Sequence, residues 1–123
     1  MKNQKSFLLI FAILLAYSLN VIKAQEKIEY DKAPIPVGGI EAIMKNVIYP
    51  EEAKKENIEG KVFVKAIIDE NGNVVKVEIL KSENELLNNA SLKAVKSSKF
   101  VPAELNGKKI KVEITIPIKF KLS

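Results

Sequence analysis

The sequence predicts an α+β fold in which three strands form an antiparallel sheet in the spatial order 2-1-3, with helices packed on one face. Two observations carry this prediction. Alternating segments flank an Asn71-Gly72 turn, the first running from Lys61 to Asp69 and the second ending at Ser82, which is typical of a β-hairpin. A helical segment then leads to a long alternating segment at the C-terminus, so the last strand returns to pair with the first.

The composition excludes several classes of function. The 123 residues, which suit one domain, include no cysteine and no histidine, so thiolate nucleophiles, imidazole bases, disulfides and most transition-metal sites are excluded. The net charge is +5, but three of the 20 basic residues lie in the acid-free N-terminal segment, which leaves 17 against 15 acids. All of the basic residues are lysine. We therefore expect no enzyme, no cofactor, no metal and no nucleic-acid partner.

The first 24 residues are predicted to be a signal peptide. Lys2 and Lys5 precede an apolar stretch from Phe7 to Leu19, and its length of about 13 residues suits the apolar region of such a peptide. Cleavage is expected between Ala24 and Gln25. The alternative is a short N-terminal anchor, although even the longer count of about 16 residues falls short of the roughly 20 that a bilayer helix needs.

Residues 25–37 are predicted to be an exposed linker, because Pro34 and Pro36 favour extended backbone. The domain is then expected to cover residues 38–123. Gly38-Gly39 opens a short helix with apolar residues at helical spacing. Pro50 separates that helix from a second one, predicted over Glu51 to Glu56, whose acids suit the positive end of the helix dipole.

The hairpin strands are predicted to share one apolar face. Alternate residues form that face in each strand. They are Val62, Val64, Ala66 and Ile68 in the first strand, and Val75, Val77 and Ile79 in the second. The Asp69–Asn73 run supplies residues that tolerate the positive φ of a turn. This run lacks the remaining ligands of a calcium loop.

The third helix is predicted over Glu83 to Ser98, with Ser82 and Glu85 at the spacing of a capping box. Asn106-Gly107 then turns the chain into the last strand, which is predicted to alternate without a break from Ile110 to Leu122. Because this strand pairs with the first on one side only, its outer edge is expected to be open, and such an edge is a template for an incoming strand.

Candidate partner-binding residues follow from that open edge. Pro117 cannot donate to a ladder, so it indicates an edge strand, serving either partner binding or protection against aggregation. The lysines that face away from the core either form a solvated surface or steer an acidic peptide. Tyr49-Pro50 is either a helix stop with its ring on the core or part of the binding surface. The candidates are Tyr49, Pro50, Lys111, Glu113, Thr115, Pro117, Lys119 and Lys121.

The order of these features resembles the C-terminal domain of the TonB family. The positions that carry the resemblance, spread from Gly38 to Leu122, are Tyr49-Pro50, Ala53, Glu59-Gly60, Asn71-Gly72, Ile79 to Ser82, Phe100-x-Pro102-Ala103, Asn106-Gly107-Lys108 and Ile116-Pro117-Ile118-x-Phe120. The resemblance implies a non-enzymatic periplasmic domain that docks an envelope protein, such as the periplasmic segment of an outer-membrane transporter, by edge-strand addition. It also implies that Tyr49-Pro50 lies near the docked transporter, and that strand exchange could give a homodimer.

The resemblance also implies an alternative function. The family's energy transducers keep an N-terminal helix in the inner membrane, facing the periplasm, where it engages the ExbB/ExbD complex. A long proline-rich spacer then crosses the periplasm. Here the apolar segment lacks histidine and the spacer is residues 25–37, which reach about 40 Å at full stretch. The leading expectation is therefore a secreted adaptor in the periplasm, and ExbB/ExbD are partners only if the N-terminal segment is retained.

Overall fold

The structure is a computed structural model that describes residues 30–123. The predicted signal peptide and residues 25–29 of the predicted linker lie outside the described residues. The elements, in chain order, are β1 (Ile35–Pro36), α1 (Ile40–Lys45), α2 (Glu51–Lys55), β2 (Gly60–Ile68), β3 (Val74–Ser82), a 3-10 turn (Glu85–Leu87), α3 (Asn88–Lys96), β4 (Phe100–Val101), β5 (Ala103–Leu105), β6 (Lys108–Ile110) and β7 (Val112–Phe120).

The central sheet has the order β3-β2-β7, and β2 pairs antiparallel with both neighbours. This confirms the predicted 2-1-3 order. The β2–β7 ladder runs without a shift from Gly60↔Phe120 to Ile68↔Val112. Two short antiparallel pairs, β1–β4 and β5–β6, lie outside this sheet.

The core lies on one face of the sheet, where the predicted alternate residues of β2 are fully buried. Helix α3 packs across β2 and β3 and contributes Ala94 and Val95 to the same cluster. Ile43 of α1 and Ala53 of α2 complete the cover. The predicted placement of helices on one face is therefore confirmed, because α1, α2 and α3 all contribute to one apolar cluster.

The predicted apolar face of the second hairpin strand is wrong at its first residue. Val74 is buried, whereas Val75 is 46% exposed. The register explains the difference: Ile68 pairs with Val74 but Ile67 pairs with Lys76, so Val75 is an extra residue in a β-bulge. A bulge inserts one residue and shifts the alternation that follows it.

The predicted start of the third helix is also wrong. Asn84, rather than Ser82, is the capping residue, because its side-chain oxygen accepts the N–H of Leu86 at 2.9 Å. The Ser82 hydroxyl instead donates to the carbonyl of Asn84 at 2.9 Å and so fixes the corner between strand and helix. The first turn is 3-10, and α3 ends at Lys96, two residues before the predicted end at Ser98.

The last strand is predicted to be continuous from Ile110 to Leu122, but the structure divides this segment between two strands. The Asn106-Gly107 turn, with φ of +53° and +79°, joins β5 to β6, and Ile110 pairs with Ala103. The ladder with β2 begins only at Val112 and ends at Phe120. Lys111 therefore lies in a break between two strands that belong to different sheets.

The part of the predicted linker that the structure describes is largely exposed, as expected, but it pairs with other strands of the protein. Ile35 and Pro36 pair with Val101 and Phe100, and the backbone of Lys32 forms a bridge with Glu104. The proline backbone is extended, as expected, but the extended segment is held against the domain. Paired structure therefore begins before residue 38.

Candidate partner-binding edge

The outer edge of β7 is unpaired within the described residues, since β2 is its only neighbour. The backbone hydrogen bonds of Lys61 in β2 show which residues of β7 point their N–H and C=O groups toward this edge. The carbonyl of Lys61 accepts the N–H of Glu83 at 3.1 Å, and the N–H of Lys61 donates to the Glu83 carboxylate at 3.0 Å. Lys61 and the other odd-numbered residues of β2 therefore point their backbone groups toward β3, and the even-numbered residues point toward β7.

The predicted site residues of β7 consequently share the free edge. In the unshifted ladder the even-numbered residues of β7 pair with the even-numbered residues of β2. The odd-numbered residues turn their N–H and C=O groups away from the sheet. Those residues are Glu113, Thr115, Pro117 and Lys119, and all four are exposed.

Pro117 occupies a position where a missing donor costs the sheet nothing. It lies opposite Phe63, in a pair that forms no backbone hydrogen bonds across to β2. Its ring nitrogen faces the free edge, which therefore offers donors at Glu113, Thr115 and Lys119 only. The edge is interrupted on its outer side, while the bonds that hold β7 to β2 remain intact.

The other edge strand, β3, has a less regular edge. In addition to the bulge at Val75, a second shift occurs where Phe63 pairs with Lys81 but Val64 pairs with Ile79. Leu80 is the extra residue. Bulges twist a strand and interrupt its pairing, so β7 presents the straighter of the two edges.

Glu113 is held on the outer face by a lysine that the sequence interpretation did not single out. The ammonium group of Lys65 lies 3.3 Å from the Glu113 carboxylate and 3.3 Å from that of Glu78. Hydrogen bonds to Glu113 and then to Glu78 raise the pKa of Lys65. Because Lys65 has one acid on each neighbouring strand, the three residues form a bridge across the sheet.

Tyr49 lies on the core side, away from the outward row of β7. Its ring packs edge-on against Phe120, with centroids 5.4 Å apart, and its hydroxyl donates to the carbonyl of Ile58. Burial, together with the nearby Glu59, raises the pKa of the Tyr49 hydroxyl. Pro50, with φ of −62°, immediately precedes α2. This geometry favours the interpretation in which the Tyr49 ring lies on the core. The segment is not a helix stop, because α1 ends at Lys45 and Pro50 precedes α2.

The two remaining predicted residues lie beyond the ladder. Lys111 precedes β7 and Lys121 follows it, and both are exposed. The structure thus brings Glu113, Thr115, Pro117 and Lys119 into one row, whereas Lys111 and Lys121 lie just outside its ends.

Other groups offer little chemistry in the described part of the chain. The Asp69 carboxylate accepts the N–H groups of Asn71 and Asn73 at 2.9 and 2.8 Å. No set of three carboxylate, thiol or imidazole groups gathers within residues 30–123 at a spacing that would hold a metal ion. In the same range, no helix has both the length and the apolar character that crossing a bilayer requires.

Comparisons with known proteins point to one family. Residues 45–122 match the family described as Gram-negative bacterial TonB protein C-terminal. The chain is 41% identical over 75 residues to Protein TonB of Vibrio cholerae serotype O1, which is 60% of this chain and 31% of that protein. It is 33% identical over 76 residues to Protein TonB of Xanthomonas campestris pv. campestris, which is 61% of this chain and 34% of that protein. The chain therefore spans about a third of the length of these relatives.

Solved structures share the fold. The C-terminal domain of Helicobacter pylori TonB, solved by NMR, superposes with a TM-score of 0.54 at 32% identity and covers 66% of this chain and 86% of that one. The C-terminal domain of Pseudomonas aeruginosa TonB gives a TM-score of 0.56 over 76% of this chain and 90% of that one, and at 24% identity it supports the fold alone. With the family match covering more than half of its residues, this chain belongs to the family of TonB C-terminal domains.

Proposed function

We propose that this protein is a non-catalytic binding domain of the bacterial periplasm, and that it takes an extended segment of an envelope protein as an added strand on the free edge of β7. The periplasmic segment of an outer-membrane transporter is the partner that fits the family best. The observation that carries the proposal is the one-sided β7 ladder, with exposed residues along its free edge. Unpaired backbone groups in such a row are those that strand addition uses.

Pro117 limits where that segment forms hydrogen bonds. A partner strand would meet two donors, Glu113 and Thr115, on one side of the proline and a single donor, Lys119, on the other. The carbonyl of Pro117 is still available as an acceptor. We therefore expect the strongest pairing over Glu113 and Thr115, with the partner's side chains supplying more of the affinity near Lys119.

The test uses two proline variants of β7. One removes a backbone donor on the free edge, and the other removes a donor on the side that pairs with β2. Thr115→Pro removes a donor from the free edge and no bond to β2, so it should leave the fold in place and weaken binding. Ile116→Pro removes a donor that faces β2 and leaves a buried carbonyl without its partner, so it should destabilise the domain by about 1 to 3 kcal/mol. Thr115→Ala keeps the donor and is the control for loss of the side chain.

Binding would be titrated with synthetic peptides that cover the periplasmic segments of outer-membrane transporters, with circular dichroism to follow the fold. Sedimentation of the free protein comes first, since a second copy of the chain could occupy the same edge as a homodimer. A folded Thr115→Pro variant that binds as tightly as wild type would contradict addition at this edge. Unfolding of that variant would show that the edge is interior.

A second candidate is a membrane-anchored energy transducer that works with ExbB/ExbD, and the names of the matched relatives favour it. Sequencing the N-terminus of the protein recovered from cells separates the two. A start at Gln25 in the periplasmic fraction supports the adaptor. A retained Met1 segment in the inner-membrane fraction supports the transducer.

A further inference from the structure

The face of the sheet that the helices leave uncovered carries a group of lysines around an aromatic ring. Phe63 of β2 points away from the buried Val62 and Val64, and the register places Pro117 on one side of it and Lys81 on the other. The preceding pair along the strands is Lys61↔Lys119. We name these five residues, Lys61, Phe63, Lys81, Pro117 and Lys119, the outer patch.

The pairing of Lys61 with Lys119 opposes the stability of the free domain. The two lysines face each other in a pair without backbone hydrogen bonds, the arrangement in which side chains come closest, and like charges in that position are destabilising. No acidic side chain within residues 30–123 lies within 4.0 Å of the ammonium groups of Lys61, Lys81 or Lys119. The carboxylate of Glu83 accepts the backbone N–H of Lys61.

The centre of the outer patch is apolar. Phe63 is half-buried and Pro117 is exposed. The bulge of β3 also places Leu80 opposite Phe63, and Leu80 is 58% exposed. Apolar side chains surrounded by charged ones form the usual arrangement of a protein–protein interface, in which the centre is desolvated and the rim stays wet.

The opposite end of the same face is different, because its charges are already compensated. Lys65 lies between Glu78 and Glu113, and these two acidic side chains are 50% and 52% exposed. An anionic bilayer lying flat on this face would meet both carboxylates. A discrete acidic segment that covers only the lysine end would avoid them, so the charge distribution favours a polypeptide over a membrane surface.

We propose that the outer patch binds an acidic polypeptide segment of a partner, with an apolar side chain over Phe63 and Pro117 and carboxylates against the three lysines. Alternate residues of an extended chain lie about 6.6 to 6.8 Å apart on one side, which equals the spacing between successive residue pairs on this face. A segment with acidic and apolar side chains at alternate positions therefore matches Lys61 and Phe63. This surface shares Pro117 and Lys119 with the free edge of β7, but it uses side chains on the face of the sheet and not the backbone groups of the edge. It therefore does not depend on strand addition there.

The probe is a blocked heptapeptide with glutamate at its second and fourth positions, leucine at its sixth and threonine elsewhere. With the leucine over Phe63, both glutamates lie at the lysine end and neither meets Glu78 or Glu113. Nitrogen-15-labelled protein, purified from the envelope of cells that express the full chain, would be titrated with this peptide. We expect shifts of the Phe63 and Lys81 amides, weakened by salt because the attraction is between exposed charges. The same peptide with glutamine in place of both glutamates should bind about tenfold more weakly or not at all.

Two charge reversals on the same face give the matched comparison. Lys61→Glu should weaken peptide binding by about tenfold or more. The same variant should also raise the melting temperature by roughly 1 to 5 °C, because it replaces a like-charge pair by an attractive one. Lys76→Glu makes the same change in net charge opposite Ile67, at the other end of the face, and should leave binding within about twofold of wild type. Lys81→Glu is the second patch variant if Lys61→Glu fails to fold.

Several results would overturn the proposal. These are no binding of the acidic peptide, equal binding of the glutamine peptide, or equal losses in Lys61→Glu and Lys76→Glu. Binding of phosphatidylglycerol vesicles that the peptide does not compete with would assign the patch to a membrane surface instead. Thr115→Pro should still bind the heptapeptide, so a failure of strand addition at β7 would be distinguishable from a failure of the outer patch.

Discussion

The rings of Tyr49 and Phe120 meet edge-on, with centroids 5.4 Å apart and planes at 87°. Phe120 is the last residue of β7 and pairs with Gly60, the first residue of β2. The Tyr49 hydroxyl bonds to the carbonyl of Ile58, just before that strand. One side chain thus joins the segment between α1 and α2 to the start of the central strand and the end of the terminal one.

The first prediction concerns the hydroxyl of Tyr49. Tyr49→Phe keeps the ring contact but leaves the carbonyl of Ile58 without this donor, so the free energy of unfolding should fall by about 0.5 to 2 kcal/mol. Urea denaturation measures the change. Tyr30→Phe is the matched control, because Tyr30 is 42% exposed, and it should stay within about 0.5 kcal/mol of wild type. Equal stabilities for the two variants would show that the Tyr49 hydroxyl contributes nothing.

The second prediction compares two valines of the hairpin. Val64 is fully buried in β2, whereas Val75 is the exposed bulge residue of β3. Val64→Asp buries an unpaired carboxylate at a cost of several kcal/mol, comparable to the whole stability of a small domain, so it should abolish cooperative unfolding. Val75→Asp should melt within a few degrees of wild type. If thermal melts show equal losses in both, Val75 is buried and the bulge is misplaced.

The predictable part of the fold is the part that follows from periodicity. Alternation over Val62 to Ile68 identifies the core face of β2. Because a hairpin is followed by a helix, the last strand is expected to pair antiparallel with β2 on the side that β3 leaves free. The bulge at Val75 is invisible to the same reasoning, because a period of two contains no signal for an inserted residue. The break at Lys111 is hidden for a related reason: Ile110 and Val112 keep the alternation although they pair with different strands.

The candidate site divides in the same way. The outward row from Glu113 to Lys119 could be predicted, because alternation separates it from the buried residues of the strand. The bridge from Lys65 to Glu113 could not, since it depends on a register that brings distant residues together. The capping residue of the third helix was predicted wrongly for a local reason. Ser82 and Asn84 are both favoured capping residues, and the corner after β3 decides between them.

The third prediction uses two glycines with the same backbone conformation. Gly72 has φ of +83° and Gly107 has φ of +79°, so alanine is similarly strained at both positions. A β-carbon at Gly72 would lie 1.8 Å from the carbonyl oxygen of Phe100, whereas one at Gly107 meets nothing within 4 Å. Gly107→Ala should therefore cost about 1 kcal/mol and Gly72→Ala clearly more.

The close contact at Gly72 explains why the two variants differ. The N–H of Phe100 donates to the carbonyl of Gly72 at 2.9 Å, so the hairpin tip lies directly on β4. Chemical denaturation of Gly72→Ala and Gly107→Ala measures the difference. Equal losses would mean that backbone strain alone accounts for both, and that the tip can move away from Phe100 without cost.

The last prediction concerns acid unfolding and Asp69. The backbone N–H of Asn73 is the main cause that holds the pKa of the Asp69 carboxyl below its usual value, with further contributions from the N–H of Asn71 and the charge of Lys99. A carboxyl with a lower pKa in the folded state stabilises that state when it is ionised. Its contribution is fully present above the unfolded pKa near ~4 and is lost as the pH falls through the folded pKa.

Asp69→Asn keeps an oxygen acceptor for both amides but removes the charge, so it should be less stable than wild type at pH 7. The gap should close as the pH falls toward about 2, because wild type then becomes neutral at the same position. Glu70→Gln is the matched control, since it removes a neighbouring charge and leaves both hydrogen bonds of Asp69 in place. Urea denaturation at a series of pH values measures all three proteins. A gap between wild type and Asp69→Asn that stays constant down to pH ~2 would show that ionisation of Asp69 does not stabilise the turn.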